Sequence, residues 1–302
     1  MKIYRIEEKI KFDELDGKIL SLLCLNPRKK ISEIAKHLGI PKSKVLYRIR
    51  RMEKNNLIQG YSILVNWKLL GFRYFFIVID KIEGEELKKY VSREEKILKA
   101  HLGYGDFFLL LEVVSKDEKE LKDILKKIKE KGGRIKYLLE CLNVLRYFHL
   151  NLLDFGCPFP PFSQSHLENV EMPKDAFQLI KELEKNSRER LVNIAPNLSF
   201  KRKKKIIDFL IRKRIIVPYV ILNTSRLGYR SYFVLLEDYH QALEKLSIIC
   251  YETLFPYQYL AVFDLKKEEE FRKLLEEIRK ETKAEFMMET SEWKYTELPK
   301  SF

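Results

Sequence analysis

Pro41-Lys42-Ser43-Lys44-Val45-Leu46-Tyr47-Arg48-Ile49-Arg50-Arg51-Met52-Glu53-Lys54 decides how the chain is read. Placed on a helix, Val45, Ile49 and Met52 fall at i, i+4 and i+7 and make one apolar stripe. Lys44, Tyr47, Arg48 and Arg51 gather on another face at about 3.6 residues per turn. One face can pack on a small core while the other offers cations to an anionic polymer. Pro41 suits a first helical position, and Ser43 lies in the first turn, where backbone N–H groups are free. An ordinary amphipathic surface helix with a solvated basic side has the same pattern, so the neighbouring sequence carries the decision.

Working outward, residues 13–26 read as a helix with Leu15, Ile19, Leu22 and Leu23 on one face, broken by Asn26-Pro27. Ser32 can cap a short second helix over 32–38, and Gly39 can end it in the left-handed conformation. The basic helix follows after a tight turn. Three short helices in this order make a helix-turn-helix. Leu57 to Val65 alternates around Gly60 and predicts a wing hairpin.

The wider chain is compatible with this. At 302 residues, about two domains are expected. With 46% hydrophobic and 34% charged residues the chain is globular rather than disordered. A formal net charge of +14 and a pI near 9.3 favour an anionic partner, nucleic acid before an acidic membrane. The longest apolar runs, such as Phe107 to Leu111, are too short to span a bilayer, and the N-terminus has no signal-peptide pattern. Cys24, Cys141, Cys157 and Cys250 are isolated and read as reduced thiols of a cytoplasmic protein.

Leu15-Asp16, Ile19-Leu20, Arg28, Ser32, Ile34-Ala35, Gly39, Val45, Arg48-Ile49, Met52-Glu53, Ile58, Gly60-Tyr61 and Leu70-Gly71 together resemble the leucine-responsive/AsnC family of transcription regulators. That resemblance covers most of residues 13–72. It implies a winged helix-turn-helix joined to a ligand-sensing domain of β-α-β-β-α-β order, with the basic helix in the DNA major groove. Lys42, Ser43, Lys44 and Tyr47 are then expected at base edges, and Arg48 and Arg51 at phosphate or base. Arg28, Lys29 and Lys30 are expected on the backbone, fixing register.

The residues that follow keep the same order on their own evidence. Arg73 to Asp80 is β-rich, 84–92 a short helix, and Ile97 to His101 and Phe107 to Val114 are strands. Residues 117–130 carry Leu121, Ile124, Leu125 and Ile128 at helical spacing, and Ile135 to Leu150 is a final strand region. A four-stranded antiparallel sheet with helices on one face buries these stripes. Residues 151–171, with three prolines in Phe155 to Pro161, read as a linker.

Then the plan repeats. Leu191 to Ala195 echoes Ile31 to Ala35, a basic helix covers about 200–214, and Leu227-Gly228-Tyr229-Arg230 echoes Leu70-Gly71-Phe72-Arg73. The repeat offset is 160 at Ala35/Ala195 and 157 at Gly71/Gly228, so the second copy is three residues shorter between those points. In the second basic helix, Lys201, Arg202, Lys203, Lys204 and Lys205 point all around the axis, which suits a solvated charge run or nonspecific phosphate clamp, or else a second recognition helix that relies on backbone attraction.

The expected fold is therefore α+β, two repeats of a winged helix-turn-helix and a βαββαβ ferredoxin-like domain. The boundaries read as 1–66, 67–150, linker 151–171, 172–223 and 224–302. The family resemblance further implies a small-molecule, amino-acid-like effector at the turn Gly103-Tyr104-Gly105-Asp106, and dimers that a two-copy chain can form within itself as an intrachain pseudo-dimer. A tight β-turn alone needs the same glycines. The expected partner is double-stranded DNA, with no membrane, cofactor or metal, and further homo-oligomers are left open. His37, His101, His149, His166 and His240 show no triad, metal or acid–base spacing, so no catalytic residue is assigned. Two alternatives use the same fold: a sirohaem-decarboxylase-like enzyme, and a metabolite-sensing adaptor that does not bind DNA.

Overall fold

The computed structural model describes residues 2–3, 11–147, 171–246 and 249–295. The linker reading for 151–171 lies, except for Glu171, outside the described residues. After the short strand β1 (Lys2–Ile3), α1 (Glu14–Leu25) starts on a reciprocal cap. Asp13 Oδ1 accepts from Asp16 N at 3.0 Å, and Asp16 Oδ2 accepts from Asp13 N at 3.1 Å. Helix α2 (Ile31–Leu38) starts one residue before the expected Ser32, with Lys30 rather than a serine at its N-cap position, and ends on Gly39 at φ 65°. Helix α3 (Lys42–Lys54) has Pro41 at its N-cap and buries Val45, Ile49 and Met52, the stripe read from sequence.

The wing differs from the expected hairpin. Residues 58–65 form one strand, β2 (Ile58–Val65), followed by a 3-10 turn at Trp67–Leu70. The chain continues through β3 (Arg73–Ile82), α4 (Glu86–Arg93), β4 (Ile97–Gly105), β5 (Leu109–Ser115), α5 (Glu118–Glu130) and β6 (Gly133–Tyr147). The second half runs α6 (Ala176–Lys185), α7 (Phe200–Arg212), β7 (Ile216–Leu222), β8 (Arg230–Leu236), α8 (Ala242–Lys245), β9 (Ile249–Thr253), β10 (Tyr259–Leu265), α9 (Glu268–Glu281) and β11 (Ala284–Tyr295).

The element order recurs with one omission. Residues 191–195, expected to echo α2, form turns, and Ala195 takes φ 42°. The offset is 160 at the helix ends Asn26/Asn186, 158 at the starts of the basic helices and 157 at Gly71/Gly228. Two residues are thus missing where the second short helix would form, and the third is absent from β7. Strand β2 carries the matching extra residue as an irregularity between Ile58 and Gly60. The basic helices themselves are equally long, 13 residues each.

Within each half the strands lie in ferredoxin-like order, β4-β5-β3-β6 and β9-β10-β8-β11, all antiparallel. The halves join edge to edge. Strand β6 pairs with β9, and β11 pairs with both β8 and β4, so the combined sheet closes on itself. Strand alternation then gives two faces. Phe75, Ile77, Leu109, Leu111 and Val113 pack outward with α4 and α5, and Tyr232, Val234, Ala261 and Phe263 with α9. Tyr74, Phe76, Leu110, Phe233, Leu260 and Val262 share the enclosed core.

The two heads also exchange strands. β2 pairs with β7, Asn66 N donates to Ile215 O and Asn223 N donates to Leu57 O, both at 2.9 Å. Val220 of β7 completes the core of the first head beside Ile19, Ile34 and Ile49, whereas Ile63 of β2 belongs to the core holding Leu183, Ile207 and Leu210 of the second. Each such side chain contributes about 1.5–3 kcal/mol by burial, which the head supplying it does not receive. Ile63→Ala is therefore expected to cost about 2–5 kcal/mol in denaturant unfolding. Amide exchange should accelerate in α6 and α7 more than in α1 and α2.

Candidate nucleic-acid interface and the turn at Gly103

Burying Val45, Ile49 and Met52 fixes the rotation of α3 about its axis. Lys42, Ser43, Lys44, Tyr47, Arg50 and Lys54 are then exposed. Ser43, Tyr47, Arg50 and Lys54, at i, i+4, i+7 and i+11, form one outward stripe, and the Tyr47 ring is 64% exposed. Arg50 is a member that sequence reading passed over, although its spacing from Tyr47 could have identified it.

Arg48 and Arg51, expected at phosphate or base, are held elsewhere. Arg48 Nη1 donates to both oxygens of Asp13, at 2.6 and 2.7 Å, and to Asp16 Oδ1 at 2.9 Å. Arg51 Nη2 donates to Asp16 Oδ2. The Asp16 carboxylate is fully buried, so these guanidiniums supply the charge that its burial requires. They clamp α3 onto the capped start of α1. The hydrogen bond from Arg48 holds the Asp13 carboxyl down at about 2.

Arg28, expected on the DNA backbone, joins the two heads instead. Its Nη1 donates to Ser187 O at 2.5 Å, and Arg188, its counterpart at the 160 offset, donates to Pro27 O. Burial and the neighbouring Arg188 lower the Arg28 pKa. Lys29 is half-buried and Lys30 exposed at the start of α2.

In the second head the five cations separate. Lys201, Lys204 and Lys205 are exposed. Arg202 is exposed too, but its Nε donates to Asp175 Oδ2 at 2.6 Å. Lys203 sits at the position of Val45 at the 158 offset, is 3% exposed, and donates to Leu191 O at 2.9 Å. It satisfies a carbonyl of the segment that does not form a helix, so it is no clamp for phosphate. The outward stripe is Lys201, Lys205, Asp208 and Arg212, with a carboxylate where α3 carries Arg50.

The Gly103-Tyr104-Gly105-Asp106 stretch, expected as a tight turn, is extended instead: Gly103, Tyr104 and Gly105 end strand β4 and pair with Glu289, Met288 and Met287 of β11. A Cβ on Gly103 would lie 2.2 Å from Met288 O, and one on Gly105, at φ 147°, 2.4 Å from Phe286 O. The close approach expected of a ligand is made by backbone. Asp106 Oδ2 accepts from Phe286 N at 3.0 Å and Arg279 Nη2 at 2.7 Å. Tyr104 remains 47% exposed.

A buried polar cluster lies nearby, unanticipated because Glu289 joins Lys99, His101 and Glu112 from 188 residues beyond His101. His101 Nδ1 is 2.7 Å from Glu289 Oε1, and its Nε2 is 3.2 Å from Glu112 Oε1. Glu112 Oε2 receives Lys99 Nζ at 3.2 Å and the Tyr74 hydroxyl. Burial opposes charge on His101, but Glu289 and Glu112 outweigh it and raise the imidazole to about 10. Burial likewise opposes the Glu112 charge, and Lys99 and His101 bring the carboxyl down to about 2.

Among the described residues no helix is long and apolar enough to cross a membrane. Residues 12–59 match the family described as winged helix-turn-helix DNA-binding. The HTH-type transcriptional regulator LrpA of Pyrococcus abyssi is 33% identical over 128 residues, 41% of this chain and 87% of that protein. LrpB of Bacillus subtilis is 28% identical over 148 residues, 48% of this chain and 99% of that protein, so this chain is about twice as long. Over the full length, the crystal structure of the siroheme decarboxylase NirDL superposes with a TM-score of 0.55 at 19% identity, covering 95% of this chain and 94% of that one. A second structure of NirDL, in co-complex with an iron-uroporphyrin III analogue, gives 0.54.

The Asp13 clamp has a pH consequence. A carboxyl lowered from 3.8 to about 2 contributes stability that is complete above the unfolded value and lost as pH falls through the folded one. The first head is expected to loosen between about pH 4 and pH 2, read by amide exchange in α1 and α3. In Asp13→Asn that step should be diminished.

Proposed function

The chain belongs to the leucine-responsive/AsnC family of HTH-type transcriptional regulators, and from that premise we propose that it is a sequence-specific DNA-binding regulator whose two unequal heads act from one chain. The observation that carries this reading is the outward stripe Ser43, Tyr47, Arg50 and Lys54 on α3, flanked by exposed Lys42 and Lys44. Such a face can offer bidentate arginine and hydroxyl donors to base edges and lysines to phosphates. Lys29 and Lys30 are assigned to the backbone beside it.

We read the chain as a tandem duplication forming a pseudo-dimer. The recurring element order, the offsets that change only at a missing helix and a bulge, and the intrachain closure of the sheet support that reading. The proposed units are 1–66 with 67–150 and 172–223 with 224–302. In the second head Lys201, Lys204 and Lys205 are proposed to hold phosphates while Asp208 weakens base reading. An amino-acid-like effector at the end of β4 is assigned to the exposed Tyr104, since Asp106 is already engaged.

Full-length likeness to siroheme decarboxylase NirDL favours one other reading, a tetrapyrrole enzyme on this fold. Titration with iron-uroporphyrin discriminates them: a stoichiometric absorbance shift together with absent DNA binding would support the enzyme.

For the regulator, Tyr47→Ala and Arg50→Ala are each expected to weaken specific binding by about 1–3 kcal/mol, with the thermal midpoint unchanged. Arg48→Ala should instead lower the midpoint. Neutralising Lys201, Lys204 or Lys205 is expected to reduce the slope of log affinity against log salt by about 1 each. Unchanged affinity in Arg50→Ala, with binding insensitive to salt, would overturn the assignment.

A further inference from the structure

We propose that the β4–β11 seam is a divalent transition-metal site formed by His101 Nδ1 and the carboxylates of Glu289 and Glu292. His101 Nδ1 lies 2.7 Å from Glu289 Oε1 and 3.8 Å from Glu292 Oε1, and the three ligand atoms lie within 4.8 Å of one another. Donors about 2.0–2.2 Å from a common ion stand roughly 3–4 Å apart, so small side-chain movements close the site.

The backbone explains how two glutamates three residues apart reach one histidine. In a regular antiparallel pair, with Glu289 opposite Gly103, residue 291 would face His101. The register shifts between Glu289 and Ser291, leaving Thr290 extra, and Glu292 becomes the partner of His101. Glu289 and Glu292 then point to the same face. Gly103 adds no side chain above Glu289.

Charge and outer contacts agree with a cation. The side chains of His101, Glu289 and Glu292 are only 8%, 8% and 12% exposed. With a neutral imidazole, the two carboxylates direct negative charge at the point between the three ligand atoms, which favours a cation there. On binding, the ion takes the place of a proton at Nδ1. The other ring nitrogen faces Glu112, which is itself fixed by Lys99 and Tyr74. A carboxylate behind a metal-bound imidazole orients the ring and raises its basicity. One imidazole with two carboxylates suits zinc, manganese or ferrous iron rather than a soft-metal site. The ion would cross-link the two halves, because His101 comes from the first and both glutamates from the second. This proposal does not depend on the DNA-binding reading.

The test uses the full chain freed of metal by chelation and dialysis, then titrated with Co2+ and Zn2+. One Co2+ per chain with a visible absorption band is expected, together with a thermal midpoint that rises with Zn2+ concentration. Glu292→Gln preserves size and should abolish the band and the Zn2+ response while retaining the wild-type circular dichroism. Glu112→Gln, which leaves all three ligands in place, should weaken binding by about 10–100-fold. Absence of stoichiometric binding to the wild-type chain would overturn the proposal. So would binding that persists undiminished in both Glu292→Gln and His101→Gln, since the ion would then sit elsewhere and the cluster would be a charge network only.

Discussion

A four-stranded sheet of ferredoxin-like order exposes two edges, and each edge is a row of unpaired backbone donors and acceptors. Here β4 and β6 of the first half meet β11 and β9 of the second, so four edges become two seams. The rest of the architecture follows from those seams. They enclose the aromatic interior around Tyr74, Phe76, Phe233 and Tyr251. They bring His101 beside Glu289, and they lay the backbone of β11 against Gly103 and Gly105 at the end of β4. The exchanged strands β2 and β7 extend the same reciprocity to the heads.

Reciprocity does not make the heads equal. The first is braced by Asp13 and Asp16 against Arg48 and Arg51, leaving Tyr47 and Arg50 outward. The second lacks its middle helix and uses Lys203 to satisfy a carbonyl within the resulting loop. Conserved length of the basic helix thus coexists with a changed surface, Asp208 standing where the first head has Arg50. A two-headed chain gains affinity through the effective concentration of its second head even where that head reads no bases. Unequal heads suit an asymmetric site.

The elements with strong periodicity were legible in the sequence. Val45, Ile49 and Met52 fixed α3, and Leu121, Ile124 and Ile128 fixed α5, because each buries one face of a single helix. The family resemblance implied the βαββαβ order of the first half, and the repeat carried it to the second. What the sequence withheld depends on distant partners. The alternation from Leu57 to Val65 is equally compatible with a hairpin or with a strand paired to the distant Ile216–Leu222, and only tertiary context selects the latter. Arg48 and Arg51 read as free cations because the depth of Asp16 is invisible to spacing, as is the use of Arg28 between heads. Lys203 fell within a run of cations and is buried because the neighbouring loop is two residues short. The His101 cluster joins residues on opposite halves and carries no local motif.

The most direct measurement is selection of the purified full chain on a randomised duplex library, followed by affinity for the enriched sequence at several salt concentrations. Enrichment of one asymmetric motif, with a strong base preference over one half-site and a steep salt dependence, is the expected result. No binding at low salt, or tight binding without enrichment of any sequence, would contradict a sequence-specific regulator with one reading head and one clamping head.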